Sequence, residues 1–128
     1  RVVGIGETGL DFYRDYAPRE AQERWFRLQL TLADEVGLPV VIHQRAALED
    51  TLAILEEMRP AAGGVLHCFD DAPRAAERAH ALGFKLGLGG VLTYGHAALE
   101  EAEEVDRVTT ANACDLFRFP LTVPRAHP

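Results

Sequence analysis

The chain has 128 residues, with 13 Lys+Arg against 20 Asp+Glu and a formal net charge of −7. That length admits one modest domain, and 48% apolar with 26% charged residues is the composition of a folded globular chain. No apolar run approaches the ~18–20 residues that span a bilayer, the acidic balance opposes broad adhesion to nucleic acid, and two cysteines, Cys68 and Cys114, are too few for a disulfide scaffold. No secretion signal is visible, and a reducing cytosol is the simplest compartment. The sequence opens at Arg1 with Val2, Val3 and Ile5 following at once, in the manner of a buried strand, so a fragment of a longer protein is expected.

Taken in order, Val2 to Glu7 reads as a first strand ending in Gly6-Glu7-Thr8-Gly9. Pro18 suits the first turn of a helix, where its missing N–H costs nothing. Ala21, Trp25, Leu28, Leu32 and Val36 recur at spacings of 4, 3, 4 and 4 and predict the apolar face of that helix. Gly37 suits its left-handed cap. Leu38 to His43 is the second strand; Leu48, Leu52, Leu55 and Met58 mark the next helix, which Pro60 closes. Gly63 to His67 is the third strand. Asp71, Ala72 and Pro73 open a further helix, with Ala76, Ala79 and Leu82 on its buried stripe and Gly83 as its stop. Phe84 to Gly90 is the fourth strand, and a short acidic helix is expected from about His96 to Val105. Residues 109–128 carry three prolines and no period, and are expected to be irregular. Strands alternating with helices imply parallel βαβ units. Continuous apolar runs are what strands covered on both faces require.

Glu7, His43 and His67 each fall at the carboxyl end of a predicted parallel strand. In barrels and open α/β sheets that end carries the active site. One carboxylate and two imidazoles suit a borderline divalent ion such as Zn²⁺, which lowers the pKa of water from about 16 to about 7 and so supplies a nucleophile at neutral pH. Taken singly, a Glu before a turn or a His at a strand end is more often a solvated or packing residue. The same placement in three successive units favours the shared-ion reading. Arg45, two residues after His43, suits an anionic group such as phosphate; its plain alternative is a surface ion pair. Asp11 is a weaker candidate for orienting a ligand or loop. Cys68 is expected to point away from the His67 side as a small core residue, and Asp70 and Asp71 to cap a helix. His80, His96 and His127 read as surface residues, and Thr8 and Thr93 as loop hydroxyls. There is no nucleotide P-loop and no G-x-S-x-G elbow. No basic patch interleaved with aromatics is visible along the chain, which argues against a platform for single strands.

Four stretches carry a family resemblance. Gly4-Ile5-Gly6-Glu7-Thr8-Gly9-Leu10-Asp11-Phe12-Tyr13 resembles the "IGEIGLDYY" signature of the TatD family of metal-dependent hydrolases. Leu38-Pro39-Val40-Val41-Ile42-His43-Gln44-Arg45 is similar to that family's "LPVIIHSR", Gly64-Val65-Leu66-His67-Cys68-Phe69 to "GVLHCF", and Gly87-Leu88-Gly89-Gly90-Val91-Leu92-Thr93 to "GIGGVVT". The four stand in the family's order and cover roughly residues 1–108. The resemblance implies a partial (β/α)8 TIM barrel of about four βα units over 1–108, with 109–128 a tail outside the match. It implies one or two divalent ions (Zn²⁺, Mg²⁺ or Mn²⁺) at the strand ends and hydrolysis of phosphodiester bonds in DNA. Glu7, His43 and His67 take the family's metal-ligand positions, with Glu7 able to bridge two ions.

The departures bear on activity. The family's H-x-H pair has no counterpart here. Where its E-T-D triplet should stand, the chain reads Val108-Thr109-Thr110-Ala111-Asn112-Ala113-Cys114-Asp115. Asp115 is not assigned the triplet's role, and reduced or absent activity is expected of this chain. A reading-frame change is one source of such a break in pattern. An amidohydrolase acting on C–N or ester bonds is an alternative, since the same barrel and metal serve both. A non-catalytic remnant that binds metal or a partner is another. An open half barrel leaves two unpaired strand edges, which invite self-association.

Overall fold

Four parallel strands form one sheet in sequence order: β1 (Ile5–Asp11), β2 (Val40–Arg45), β3 (Gly64–Leu66) and β4 (Phe84–Leu86). Helices α1 (Arg19–Val36), α2 (Leu48–Met58) and α3 (Pro73–Ala81) make the crossovers. The computed structural model describes residues 2–14, 16–69, 73–87 and 111–118. The expected caps Asp70 and Asp71, the helix from His96 to Val105, and Thr93 and His127 lie outside the described residues, as does the end of the fourth strand beyond Gly87.

Strand alternation divides the sheet into two faces. Thr8, Leu10, Val40, Ile42, Leu66 and Phe84 are buried on the outer face, where α1 and α2 bring Phe26, Leu30, Ala33, Leu52, Ile54 and Leu55, and α3 brings Ala75 and Ala79. Glu7, Val41, His43, Val65 and Lys85, on the other face, are exposed or only partly covered, because none of the three crossover helices lies on their side. A sequential parallel order with every crossover on one face is the wall of a barrel, not a doubly wound sheet, whose strand order reverses. Among the described residues, β1 and β4 are the sheet edges, and no helix is long and apolar enough to cross a membrane.

The helix ends follow the sequence signals. Gly37 has φ 64° and its N–H returns to Ala33 and Asp34 carbonyls, a left-handed cap. Arg59, just before Pro60, ends α2 with φ 46°.

Three expectations need correction. The first concerns α1, where the face Ala21, Trp25, Leu28, Leu32, Val36 is not the one that packs. Phe26, Leu30 and Ala33 are buried, whereas Trp25 is 62% exposed and Leu28, Leu32 and Val36 are exposed beside it. The helix carries two apolar stripes, and the stripe bearing Phe26 meets β1 and joins the core. Second, β1 begins and ends later than predicted, at Ile5 and Asp11, because Leu10 completes the outer-face alternation and the ladder to β2 runs on to Asp11–Arg45. Third, residues 111–117 are helical where irregular chain was expected. Phe117 packs where a side chain on Gly4 would stand, and Asp115 lies 4.0 Å from Lys85. This segment therefore rests on the inner face.

Two adjacent residues of α2 give opposite predictions. Leu52 is fully buried, so Leu52→Ala should cost about 2–5 kcal/mol in urea unfolding. The Thr51 hydroxyl is buried with no hydrogen-bond partner among the described residues. Thr51→Val keeps the shape and removes that unpaired group, so it should leave stability unchanged or raise it by about 1 kcal/mol.

Candidate metal centre

The inner face owes its chemistry to register. Gly9 pairs with His43 and Asp11 with Arg45. Ile42 pairs with Leu66, and the His67 N–H continues that ladder to the Ile42 carbonyl at 2.8 Å. His43 and His67 are therefore lateral neighbours on the inner face, with Asp11 and Arg45 one step nearer the strand ends. Gly9 makes this possible, since a Cβ there would fall on the His43 carbonyl oxygen.

Glu7 lies at a bulge, where the β1–β2 register shifts between Gly6 and Thr8. Bulges re-aim side chains, and here Glu7 Oε1 comes 3.3 Å from His43 Nδ1. The other imidazole nitrogen, Nε2, is 3.4 Å from Asp11 Oδ2. Asp11 is held at three points. The Gln22 side chain accepts from its backbone N–H at 2.9 Å and donates to its carbonyl at 3.2 Å. Its own Oδ1 accepts from the backbone N–H groups of Tyr13 and Arg14 at 3.0 and 2.8 Å. The Arg14 N–H is the main reason its carboxyl titrates below the ordinary value of 3.8; partial burial opposes the shift, and the bond to His43 reinforces it.

A cleft of about 820 Å³ opens at these strand ends, lined among others by His43, Arg45, His67 and Cys68. Arg45 makes no ion pair with any described residue; its guanidinium lies 4.1 Å over the Tyr13 ring. Cys68 is exposed, not a core residue. Strand alternation stops at Leu66, and a φ of 49° at Cys68 swings its Sγ to 3.0 Å from His67 Nε2.

The three sequence-predicted ligands are thus placed unequally. Glu7 touches His43, and His43 shares the cleft with His67, but Glu7 is not part of the cleft wall. Glu7 and His43 lie within their strands rather than at the ends, and His67 lies just past β3. Two donors on one tetrahedral ion, each bound at ~2.0–2.1 Å, stand about 3.3–3.4 Å apart. The Glu7–His43 separation has that value, so this pair fits two corners of an ion site. Among the described residues no three His, Cys, Asp or Glu side chains gather as a complete group.

Asp11, a weaker candidate from the sequence, lies against His43 in the structure. Its signal was present in the Leu10-Asp11-Phe12 run directly after the buried strand, but its bond to His43 crosses from one strand to the next. His80, on α3, is exposed and away from the cleft.

Known proteins share this sequence pattern and fold. The family profile "TatD related DNase" matches residues 1–102. The metal-dependent hydrolase YabD of Bacillus subtilis is 44% identical over 98 residues, covering 76% of this chain and 38% of that protein. The 3'-5' ssDNA/RNA exonuclease TatD of Escherichia fergusonii is 39% identical over 125 residues, covering 97% of this chain and 48% of that protein. The crystal structure of YjjV, a TatD homologue from Escherichia coli K12, superposes with a TM-score of 0.69 at 38% identity, covering 73% of this chain and 36% of that one. The chain thus spans between about a third and a half of the length of these relatives. A parallel wall with its crossover helices on one face, and a family profile over four-fifths of the sequence, have one common explanation: this chain belongs to the TatD family of metal-dependent hydrolases.

Proposed function

We propose that this chain supplies half of the active site of a divalent-metal-dependent phosphodiesterase that cleaves DNA. The observation that carries this reading is the 3.3 Å contact between Glu7 Oε1 and His43 Nδ1 beside the cleft that His43 shares with His67. Glu7, His43 and His67 would hold the ion, which when bound supplies Lewis-acid charge and a nucleophilic water at neutral pH. Arg45, on the cleft wall and free of a carboxylate partner among the described residues, would receive the phosphate. A relative's name, 3'-5' ssDNA/RNA exonuclease, supports a nucleic-acid substrate.

Asp11 acts as a positioning residue in this reading. An imidazole gives one nitrogen to a metal and donates its other N–H to a carboxylate, which fixes the tautomer. Asp11 Oδ2 beside Nε2 suits that role, leaving Nδ1 and Glu7 to share the ion. The free thiols Cys68 and Cys114 agree with a reducing, cytosolic location. Among the described residues β1 and β4 are edge strands, which agrees with pairing to further strands, from another copy or from the rest of a barrel.

Titration with Zn²⁺ or Mn²⁺ followed by calorimetry, alongside cleavage of end-labelled single-stranded DNA, tests the reading. His43→Ala and Glu7→Gln should each abolish tight metal uptake. His67→Ala should do the same to any cleavage, and cleavage left intact in that variant would remove the site assignment. Asp11→Ala should weaken metal binding about 10–100-fold. The pH dependence has a defined sign. Because the folded-state pKa of Asp11 is lowered, its contacts contribute fully above the unfolded carboxylate value of about 4 and are lost as pH falls through the lowered one. By NMR, the Tyr13 and Arg14 amide protons should titrate with a midpoint below 3.8, and Asp11→Asn should remove that titration.

A further inference from the structure

Residues 12–19 join β1 to α1 and carry three aromatic rings, each with an arginine against it. Arg19 lies 4.2 Å over Phe12, Arg45 lies 4.1 Å over Tyr13, and Arg14 lies 6.0 Å from Tyr16 while donating to its hydroxyl at 3.2 Å. Phe12 is partly buried and packs against the core. The other two rings do not: Tyr13 is 68% exposed and Tyr16 is 84% exposed. Burial therefore gives no reason for these two rings to be aromatic.

Their position is specific. Asp11 Oδ1 holds the Tyr13 and Arg14 amides, and Asp11 Oδ2 holds His43, so one carboxylate ties this loop to the candidate centre. Arg45 has its guanidinium on the Tyr13 ring and also lines the cleft with His43 and His67. The nearby carboxylates leave these arginines their charge. Both oxygens of Asp11 are engaged, and Glu49 in the cleft wall is paired with Arg78 at 2.8 Å. Among the described residues of the wall, Asp50 is the remaining carboxylate that opposes an anion. A guanidinium stacked on a ring keeps its edge N–H groups for phosphate while the ring keeps a face for a base.

We propose that the Tyr13–Arg45 stack, with Arg14 and Tyr16 beside it on the same loop, is a base-and-phosphate grip that seats an unpaired nucleotide next to the bond to be cleaved. The proposal rests on the phosphodiesterase reading and names the residues that would seat the strand. An exposed ring stacks only on a base whose face is free, so the ligand is a single strand. Duplex bases already stack on their neighbours. The charge needed is local, which is why a chain of net charge −7 carries it on two arginines rather than over its whole surface. Tyr13 and Arg45 lie on different strands' ends, and only the Asp11–Arg45 pairing of β1 with β2 brings them together. Read along the chain, they do not form a patch.

The test measures binding of fluorescent oligothymidylate to the chain by anisotropy in EDTA, which stops strand cleavage, and compares it with an abasic strand of equal length. Tyr13→Leu, which keeps apolar bulk but has no π-face, should weaken binding to oligothymidylate about tenfold, while Tyr13→Phe retains it. Neither should alter the unfolding midpoint. On the abasic strand, wild type and Tyr13→Leu should bind alike. Arg45→Gln should weaken both strands and lower the salt slope of log K by about 0.7. Equal oligothymidylate binding by wild type and Tyr13→Leu overturns the grip, as does an equal loss on both strands or no binding by wild type. Parallel Mn²⁺ calorimetry and a cleavage assay separate the two readings. Tyr13-dependent binding with no Mn²⁺ uptake that Glu7→Gln or His43→Ala removes overturns the metal-dependent phosphodiesterase reading and leaves the grip standing. Cleavage with KM unchanged in Tyr13→Leu does the reverse.

Discussion

One constraint governs the molecule: a strand sends alternate side chains to opposite faces. With all crossovers on one side, Thr8, Leu10, Val40 and Ile42, together with Leu66 and Phe84, are buried under helices. Residues that alternate with them are left for other work, and these include Gly9, Asp11, His43 and Arg45, with His67 just past β3. Core and chemistry are therefore drawn from the same short strands without competing for positions. The separation also explains the glycines. Gly9 lets β1 lie close enough to β2 for the His43 row to form. Gly64 allows the equally close passage of Val40 past Phe84, since any Cβ there would meet the Val40 carbonyl.

Much of this was legible in the sequence. Apolar runs alternating with periodic stretches gave the four strands and three helices, and the polar residue closing each run gave His43 and His67. What stayed hidden had physical causes. Helix α1 has two apolar stripes, and periodicity alone does not say which one meets the sheet; Phe26, Leu30 and Ala33 are the ones that join the buried cluster with Leu10 and Ile42. Alternation was carried one residue too far at Cys68, where a left-handed backbone turns the side chain back toward His67. The helical turn at 111–117 has no period of its own, and gains its partners from Gly4 and Lys85, far off in the chain. The site shows the same limit. The spacing of Glu7 and His43 in sequence says nothing of the bulge that brings their donor atoms to ligand distance.

Asp11 is where these levels meet. Its backbone is clamped by Gln22 of α1, one carboxylate oxygen orders the loop that follows, and the other faces His43. Helix packing, loop shape and imidazole orientation are thus set by one residue. A disturbance in any of them is felt by the other two, and the lowered pKa of its carboxyl is the electrostatic trace of that arrangement.

The second stripe of α1 has a thermodynamic consequence. Trp25, Leu28, Leu32 and Val36 are hydrated while the chain is folded. The heat-capacity increment of unfolding arises mainly from apolar surface newly wetted in the transition. For these side chains much of that wetting has already happened, so the calorimetric increment falls below the value that chain length alone would give, and the stability curve of this half-wall is flatter with temperature than that of a closed barrel.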